Sequence, residues 1–175
     1  MPVHLVRHAC AGDKTVWAGP DLDRPLDEAG VRQAAALADE LASVPVERIL
    51  SSPAHRCRQT VVPLAHRHGV PVEPLAGLLP DGDPEYLRAL IAALDSRASG
   101  GAPVLCTHGE VMRPLLAIVR QAGGKIVAMR DDDDWLLQKG TGWELTLDGN
   151  GTIVTLRHRA PHPLATCPAH NPLVS

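Results

Sequence analysis

Three short apolar runs, each followed at once by residues able to do chemistry, constrain this chain most. Val3-His4-Leu5-Val6 leads into Arg7 and His8. Glu47-Arg48-Ile49-Leu50-Ser51 leads into Ser52 and a helix start that carries Arg56. Pro103-Val104-Leu105-Cys106 leads into Thr107 and His108. Each run has the length of a strand, and the segments between them repeat apolar residues at helical spacing. Val31, Ala34, Ala35, Leu37, Ala38 and Leu41 form one stripe over about 27–43, with Asp27 as its N-cap. Ser52 before Pro53 reads as an N-cap with proline at the first helical position, opening a helix to about 68. Leu87, Leu90, Ile91 and Leu94 mark a third helix over 84–97.

The remaining signals complete the outline. A short strand is expected at 71–74. Thr107-His108-Gly109-Glu110 has the form of a capping box, and Pro114 is expected to kink or delay the helix that follows. Strands at 143–148 and 152–158 flank the turn Asp148-Gly149-Asn150-Gly151. Alternating strands and helices predict a three-layer α/β/α sandwich with a mostly parallel sheet and a C-terminal antiparallel hairpin. A chain of 175 residues suits one core. We expect one domain over 1–158 and an extended Pro/His-rich tail over 159–175.

Composition narrows the partners. Phe is absent, aromatics are 2% of residues, and the formal net charge is -3 with both signs interspersed. No basic block points to nucleic acid, and no stretch of about 18 apolar residues points to a membrane. The N-terminus lacks the pattern of a signal peptide, so a cytoplasmic location is expected. Cys10, Cys57, Cys106 and Cys167 are widely spaced and read as four free thiols. Asp131-Asp132-Asp133-Asp134 reads as a solvated loop rather than a cation site. His158, His162, Cys167 and His170 lack regular ligand spacing, so no zinc site is expected. No cofactor and no metal are expected.

Ligands of such sheets collect at the carboxyl ends of the strands. The fold therefore brings Arg7, His8, Arg56 and His108 to one edge. Taken singly, a histidine is an ordinary packed residue and an arginine an ordinary helix residue. Together, two arginines and two histidines suit a dianionic oxyanion, because guanidinium forks match phosphate oxygens. A neutral imidazole can attack phosphorus near pH 7. Covalent catalysis would divide hydrolysis into transfer to His8 and then to water. The arginines and a protonated His108 would stabilise the transferring group, and fixed cations would stand in for a metal.

These residues resemble a known family. Leu5-Val6-Arg7-His8-Ala9-Cys10-Ala11-Gly12 is similar to the signature of the histidine phosphatase superfamily, which has the phosphoglycerate mutase-like fold. Ser51-Ser52-Pro53-Ala54-His55-Arg56-Cys57-Arg58-Gln59-Thr60 resembles its second motif, and Val104-Leu105-Cys106-Thr107-His108-Gly109 its third. Asp23-Arg24-Pro25-Leu26-Asp27-Glu28-Ala29-Gly30 fits a common spacer. The resemblance runs over about residues 3–120. It implies that His8 is the phosphohistidine nucleophile and that Arg7, Arg56 and His108 line the phosphate pocket, with Lys14 and Gly109 as substrate contacts. Within the superfamily, the short length and Leu79-Pro80-Asp81-Gly82-Asp83-Pro84 resemble the small SixA-type phosphohistidine phosphatases. Ala11-Gly12-Asp13-Lys14 and Lys139-Gly140-Thr141-Gly142-Trp143 resemble the phosphatase domain fused to MutT-type Nudix hydrolases, which acts on nucleotide phosphates.

Two departures stand out. Ala9 replaces the usual glycine after the nucleophile. The general acid of larger members has no clean counterpart; Asp81 is nearest in position, with Glu73 and Asp83 as rivals. The resemblance thus implies a metal-independent phosphatase acting on a phosphohistidine protein or a small phosphorylated metabolite. Nucleotide-phosphate hydrolysis and a non-catalytic phosphate-binding domain are the alternatives. Arg24 and Arg58 read as structural ion-pair residues.

Overall fold

The computed structural model describes residues 2–97, 100–160 and Cys167. Of the expected tail, residues 161–166 and 168–175 lie outside the described residues. In chain order the elements are β1 (Val3–Arg7), α1 (Glu28–Glu40), β2 (Val46–Ser51), α2 (His55–His68), β3 (Val72–Pro74), α3 (Pro84–Arg97), β4 (Ala102–Thr107), α4 (Gly109–Gln121), β5 (Lys125–Val127), α5 (Asp133–Leu136), β6 (Gly142–Leu147) and β7 (Ile153–Arg159). They form one sheet of order β3-β2-β4-β1-β6-β7-β5. Strands β3, β2, β4 and β1 run parallel, and β6 pairs antiparallel with both β1 and β7.

Alternation along the central strands fills a core on each face. Val3 and Leu5 of β1 join Leu50 and Leu105 beneath α3 and α4, with Leu87, Ile91, Leu115 and Leu116. Val6, Ile49, Val104 and Cys106 turn the other way, against Leu37, Leu41, Val61 and Leu64 of α1 and α2. Strand β4 is buried along its whole length, which accounts for its continuous apolar run. The three-layer sandwich read from the sequence is present. The edge strand β5, parallel to β7, and the one-turn α5 were not predicted.

Several local expectations need correction. Helix α2 begins at His55 with Ala54 as N-cap, so Ser52 is not the cap. Helix α4 has His108 at its N-cap without a side-chain cap bond, and the Thr107 hydroxyl instead donates to the Leu78 carbonyl (2.8 Å). The capping box is not formed. Pro114 lies inside α4, which starts at Gly109 without delay. The acidic run is structured rather than merely solvated. Asp131 and Asp133 pair with Arg120, Asp133 also with Arg113, and Asp132 caps α5 while pairing with Arg130.

The thiols divide into two classes. Cys57 and Cys106 are free and buried, whereas Cys10 is joined by a disulfide to Cys167, 157 residues away. The expectation of four free thiols is wrong for that pair. The pairing ties the loop after β1 to a residue of the C-terminal segment. It also removes Cys167 from any zinc set. Among the described residues, no helix is long and apolar enough to cross a membrane.

One close approach ties α1 to the loop after β1. The Asp27 carboxylate accepts from the Gly30 N–H (2.8 Å), and the Asp27 N–H donates to the Cys10 carbonyl (3.1 Å). A Cβ on Gly30 would stand 1.9 Å from that carbonyl oxygen. Backbone must then move, and overpacking of this kind costs about 1–3 kcal/mol. Gly30→Ala is expected to lower thermal stability by that amount. Gly149→Ala, where nothing lies within 4 Å, should stay within about 0.5 kcal/mol in the same melts. Equal stability of the two variants would contradict the packing described here.

Candidate active site

The ladder of the central sheet continues one residue beyond its strand ends. Pairs Arg7↔Thr107 and Ser51↔Cys106 close the register of β1 and β2 against β4. The His8 N–H then donates to the Thr107 carbonyl (3.0 Å), and the Ser52 N–H to the Cys106 carbonyl (2.9 Å). His8, Ser52 and His108 are thereby placed side by side at one sheet edge. The His8 and His108 rings meet edge to face, with centroids 5.2 Å apart.

His8 is buried, and its Nδ1–H donates to the Ala9 carbonyl (2.8 Å). In the neutral ring this leaves the lone pair on Nε2. Burial pushes the imidazole well below its ordinary value; the Ala9 carbonyl opposes this, and His108, Arg56 and Arg7 add to it. His8 is therefore uncharged near neutrality. Ala9 is compatible with this loop, since no described non-glycine residue has positive φ. Its methyl packs with Ala11, Leu26 and Ala34, and its N–H donates to Thr60 Oγ1 (3.0 Å).

Two guanidiniums flank the rings. The Arg7 Nη1 donates to the Leu137 carbonyl, and the Arg7 side chain lies over Gly109, where a Cβ would stand 2.7 Å from Cζ. Gly109 thus makes room for Arg7. Buried Arg56 donates through Nη1 to the Asp21 carbonyl (2.6 Å) and through Nη2 to Asp21 Oδ2 (3.1 Å) and His108 Nδ1 (3.3 Å). Because Arg56 can only donate, His108 Nδ1 accepts, and its Nε2–H points to Ser52 Oγ (2.9 Å), with Cys57 Sγ at 3.4 Å. Both Arg7 Nε and Arg56 Nε are buried without a partner among the described residues.

The expected site residues separate into two groups. Arg7, His8, Arg56, His108 and Gly109 come together. Lys14 is exposed on the loop after β1, and its charge reaches Asp21. Asp81 is exposed in a turn closed by the Gly82 N–H to the Leu79 carbonyl (2.9 Å), and makes no bond to the four. Glu73 is taken up by Arg48, and Asp83 caps the start of α3. Arg24 does form an ion pair, with Asp21 (3.0 Å), and donates to the Ala11 and Gly12 carbonyls. Arg58 is exposed and has no ion pair among the described residues.

Sequence reasoning missed the supporting residues. Ser52 orients His108. Thr60 joins the loop after His8 to α2, donating to the Arg56 carbonyl (2.7 Å). Gln33 accepts from the Cys10 N–H (2.9 Å) and donates to the Lys139 carbonyl (3.2 Å). Asp21 links Arg24 to Arg56. Burial pushes its carboxyl up, but Arg24, Arg56 and Lys14 together hold it below the ordinary value. Ser52 and Thr60 belong to the second motif and so carried a signal; Asp21 carried none. Beyond Arg24 opens a cleft of about 160 Å³ lined by Gly12, Val16, Trp17, Pro25 and Leu26.

Comparison with known proteins points to one family. Residues 3–79 match the family model of the histidine phosphatase superfamily, branch 1. The histidine phosphatase resemblance holds. An 8-oxo-(d)GTP phosphatase of Mycolicibacterium smegmatis is 33% identical over 119 residues, 65% of this chain and 36% of that protein. The chain spans about a third of the length of the curated relatives it matches. Among solved structures, the protein histidine phosphatase SixA complexed with tungstate aligns with a TM-score of 0.65 at 22% identity, covering 93% of this chain and 95% of that one. A mycobacterial glucosyl-3-phosphoglycerate phosphatase aligns with a TM-score of 0.63 at 19% identity, covering 91% and 96%. These likenesses establish a histidine phosphatase fold.

The buried histidines set a pH dependence. His4 of β1 is lowered to about 4 by burial and by Arg159, against Glu144, and its Nε2 lacks a partner among the described residues. Unfolded histidines bind protons that folded His4 and His8 refuse. Stability is therefore full above pH 6.5 and is lost as pH falls toward about 4. His4→Leu is expected to flatten the fall of Tm across that window. An unchanged slope would contradict the assignment.

Proposed function

We propose that this histidine-phosphatase-like domain hydrolyses phosphoryl groups through a phosphohistidine intermediate on His8, acting on phosphohistidine or a small phosphorylated metabolite without a metal. The observation that carries the reading is the fixed tautomer of His8. Its Nδ1–H is held by the Ala9 carbonyl, which leaves the lone pair on Nε2, and the His108 ring that Arg56 contacts stands edge to face with it. That is the arrangement of an activated nucleophile in an oxyanion pocket.

The steps follow from the groups present. Arg7 and Arg56 draw the dianion toward His8, and each has a buried Nε–H without an acceptor. Nε2 attacks phosphorus, and the bond from phosphorus to the leaving group breaks. Arg56 would turn an Nη2 hydrogen from His108 Nδ1 to a phosphoryl oxygen. Water then attacks the phosphohistidine, and the N–P electron pair returns to Nε2. Ser52 and Thr60 act as positioning residues, holding His108 and the nucleophile loop.

His8→Ala is expected to cut kcat/KM for an aryl phosphate by roughly a thousandfold or more while the protein remains folded. Wild-type activity should survive EDTA. Its acid limb in kcat/KM should lie below pH 6.5, since His8 titrates below that value. Full activity in His8→Ala, or loss with EDTA, would overturn the reading.

A further inference from the structure

We propose that Asp21 is a positioning residue for the proposed reaction: it grips the far end of the Arg56 guanidinium and leaves the Nε–H edge of that group for the phosphoryl oxygens. This rests on the His8 reading and deepens it, since that reading assigns Arg56 to the phosphoryl group. Asp21 lies in none of the three motifs, yet it meets Arg56 twice. Its carbonyl accepts from Nη1 (2.6 Å), and its Oδ2 pairs with Nη2 (3.1 Å).

The donors of Arg56 can be followed one by one. A guanidinium carries five N–H groups in one plane. One on Nη1 goes to the Asp21 carbonyl. Those on Nη2 go to Asp21 Oδ2 and to His108 Nδ1 (3.3 Å). Nε is buried and has no partner among the described residues. Nε–H and one Nη2 hydrogen leave the group from the same edge, and that fork takes two oxygens of a phosphate. Asp21 holds the opposite end, between Nη1 and Nη2. With that end fixed, the plane keeps its orientation before substrate arrives. An arginine without such a hold must be frozen on binding, at a cost in affinity.

Asp21 is itself held. Its Oδ1 accepts from Arg24 Nε (3.0 Å), and Arg24 Nη1 donates to the Ala11 (3.0 Å) and Gly12 (2.7 Å) carbonyls of the loop that follows His8. The turn that carries Asp21 is closed by the Asp23 N–H on the Pro20 carbonyl (3.0 Å), which also accepts from Trp17 Nε1 (2.9 Å). One carboxylate is thus divided between two buried guanidiniums. Burial pushes the Asp21 carboxyl up, and Arg24, Arg56 and Lys14 outweigh it, so the group is ionised near neutrality. A charged acceptor makes the stronger and more directional bond. A carboxylate standing in the place of the phosphate would take the Nε edge. Asp21 takes Nη1 and Nη2 and leaves Nε.

The test is a coupling between the two residues. kcat/KM with an aryl phosphate, and orthophosphate binding by calorimetry, are measured for wild type, Asp21→Asn and Asp21→Glu. The same is done for Arg56→Lys with and without Asp21→Asn. Asp21→Asn should lower both quantities by about tenfold, and Asp21→Glu should recover part of each. A lysine is a point charge with no edge to aim. In Arg56→Lys, Asp21→Asn should therefore lower neither by more than about twofold. Unchanged values in the single Asp21→Asn variant would overturn the proposal. So would a rise, which marks the carboxylate as a competitor of phosphate, or an equal loss in the Arg56→Lys background, which marks a purely structural role. Orthophosphate bound by the wild type without any turnover would overturn the His8 reading instead, and the binding measurements would still decide the role of Asp21.

Discussion

The in-register pairing of β2, β4 and β1 is the constraint on which the site depends. The loops that follow these strands inherit their positions from the ladder, through the His8 N–H to Thr107 and the Ser52 N–H to Cys106. A one-residue slip would turn every side chain of a strand to the other face. Val6 and Leu5 would exchange cores, and His8 would leave the edge where Arg56 and His108 stand. The strands lie between two packed faces, so the placement rests on core burial rather than on loop conformation.

The cost of the site is concentrated charge. Arg7 and Arg56 bring guanidiniums into buried surroundings, and each keeps an unpartnered Nε. Asp21, the Leu137 carbonyl and His108 offset part of that cost. What is left is positive charge held ready before any substrate binds, which is the condition for electrostatic preorganisation. The same burial and the same arginines keep His8 neutral. On the proposed reading, anion attraction and nucleophile activation thus have a common source.

Much of this was legible in the sequence. The strands and long helices carry clear periodicity; Arg7 ends a strand, and His8, Arg56 and His108 each come after one. The edge strand Lys125–Val127 and the helix Asp133–Leu136 are too short for a period to register. Ser52 and Thr107 look like helix caps in sequence, because a polar residue before a helix reads alike whether it caps the backbone or binds a distant side chain. Here Ser52 serves His108 and Thr107 serves Leu78. Spacing could not pair Cys10 with Cys167, and position along the chain does not tell that Asp81 stands in an exposed turn.

The central claim is that His8 carries the phosphoryl group. Brief incubation with a radiolabelled phosphodonor, a base quench and peptide mapping test it directly. The account predicts an acid-labile, base-stable label on the peptide that contains His8, lost when His8 is replaced by alanine. A label on another residue, or turnover with no labelled protein at any time point, would contradict it.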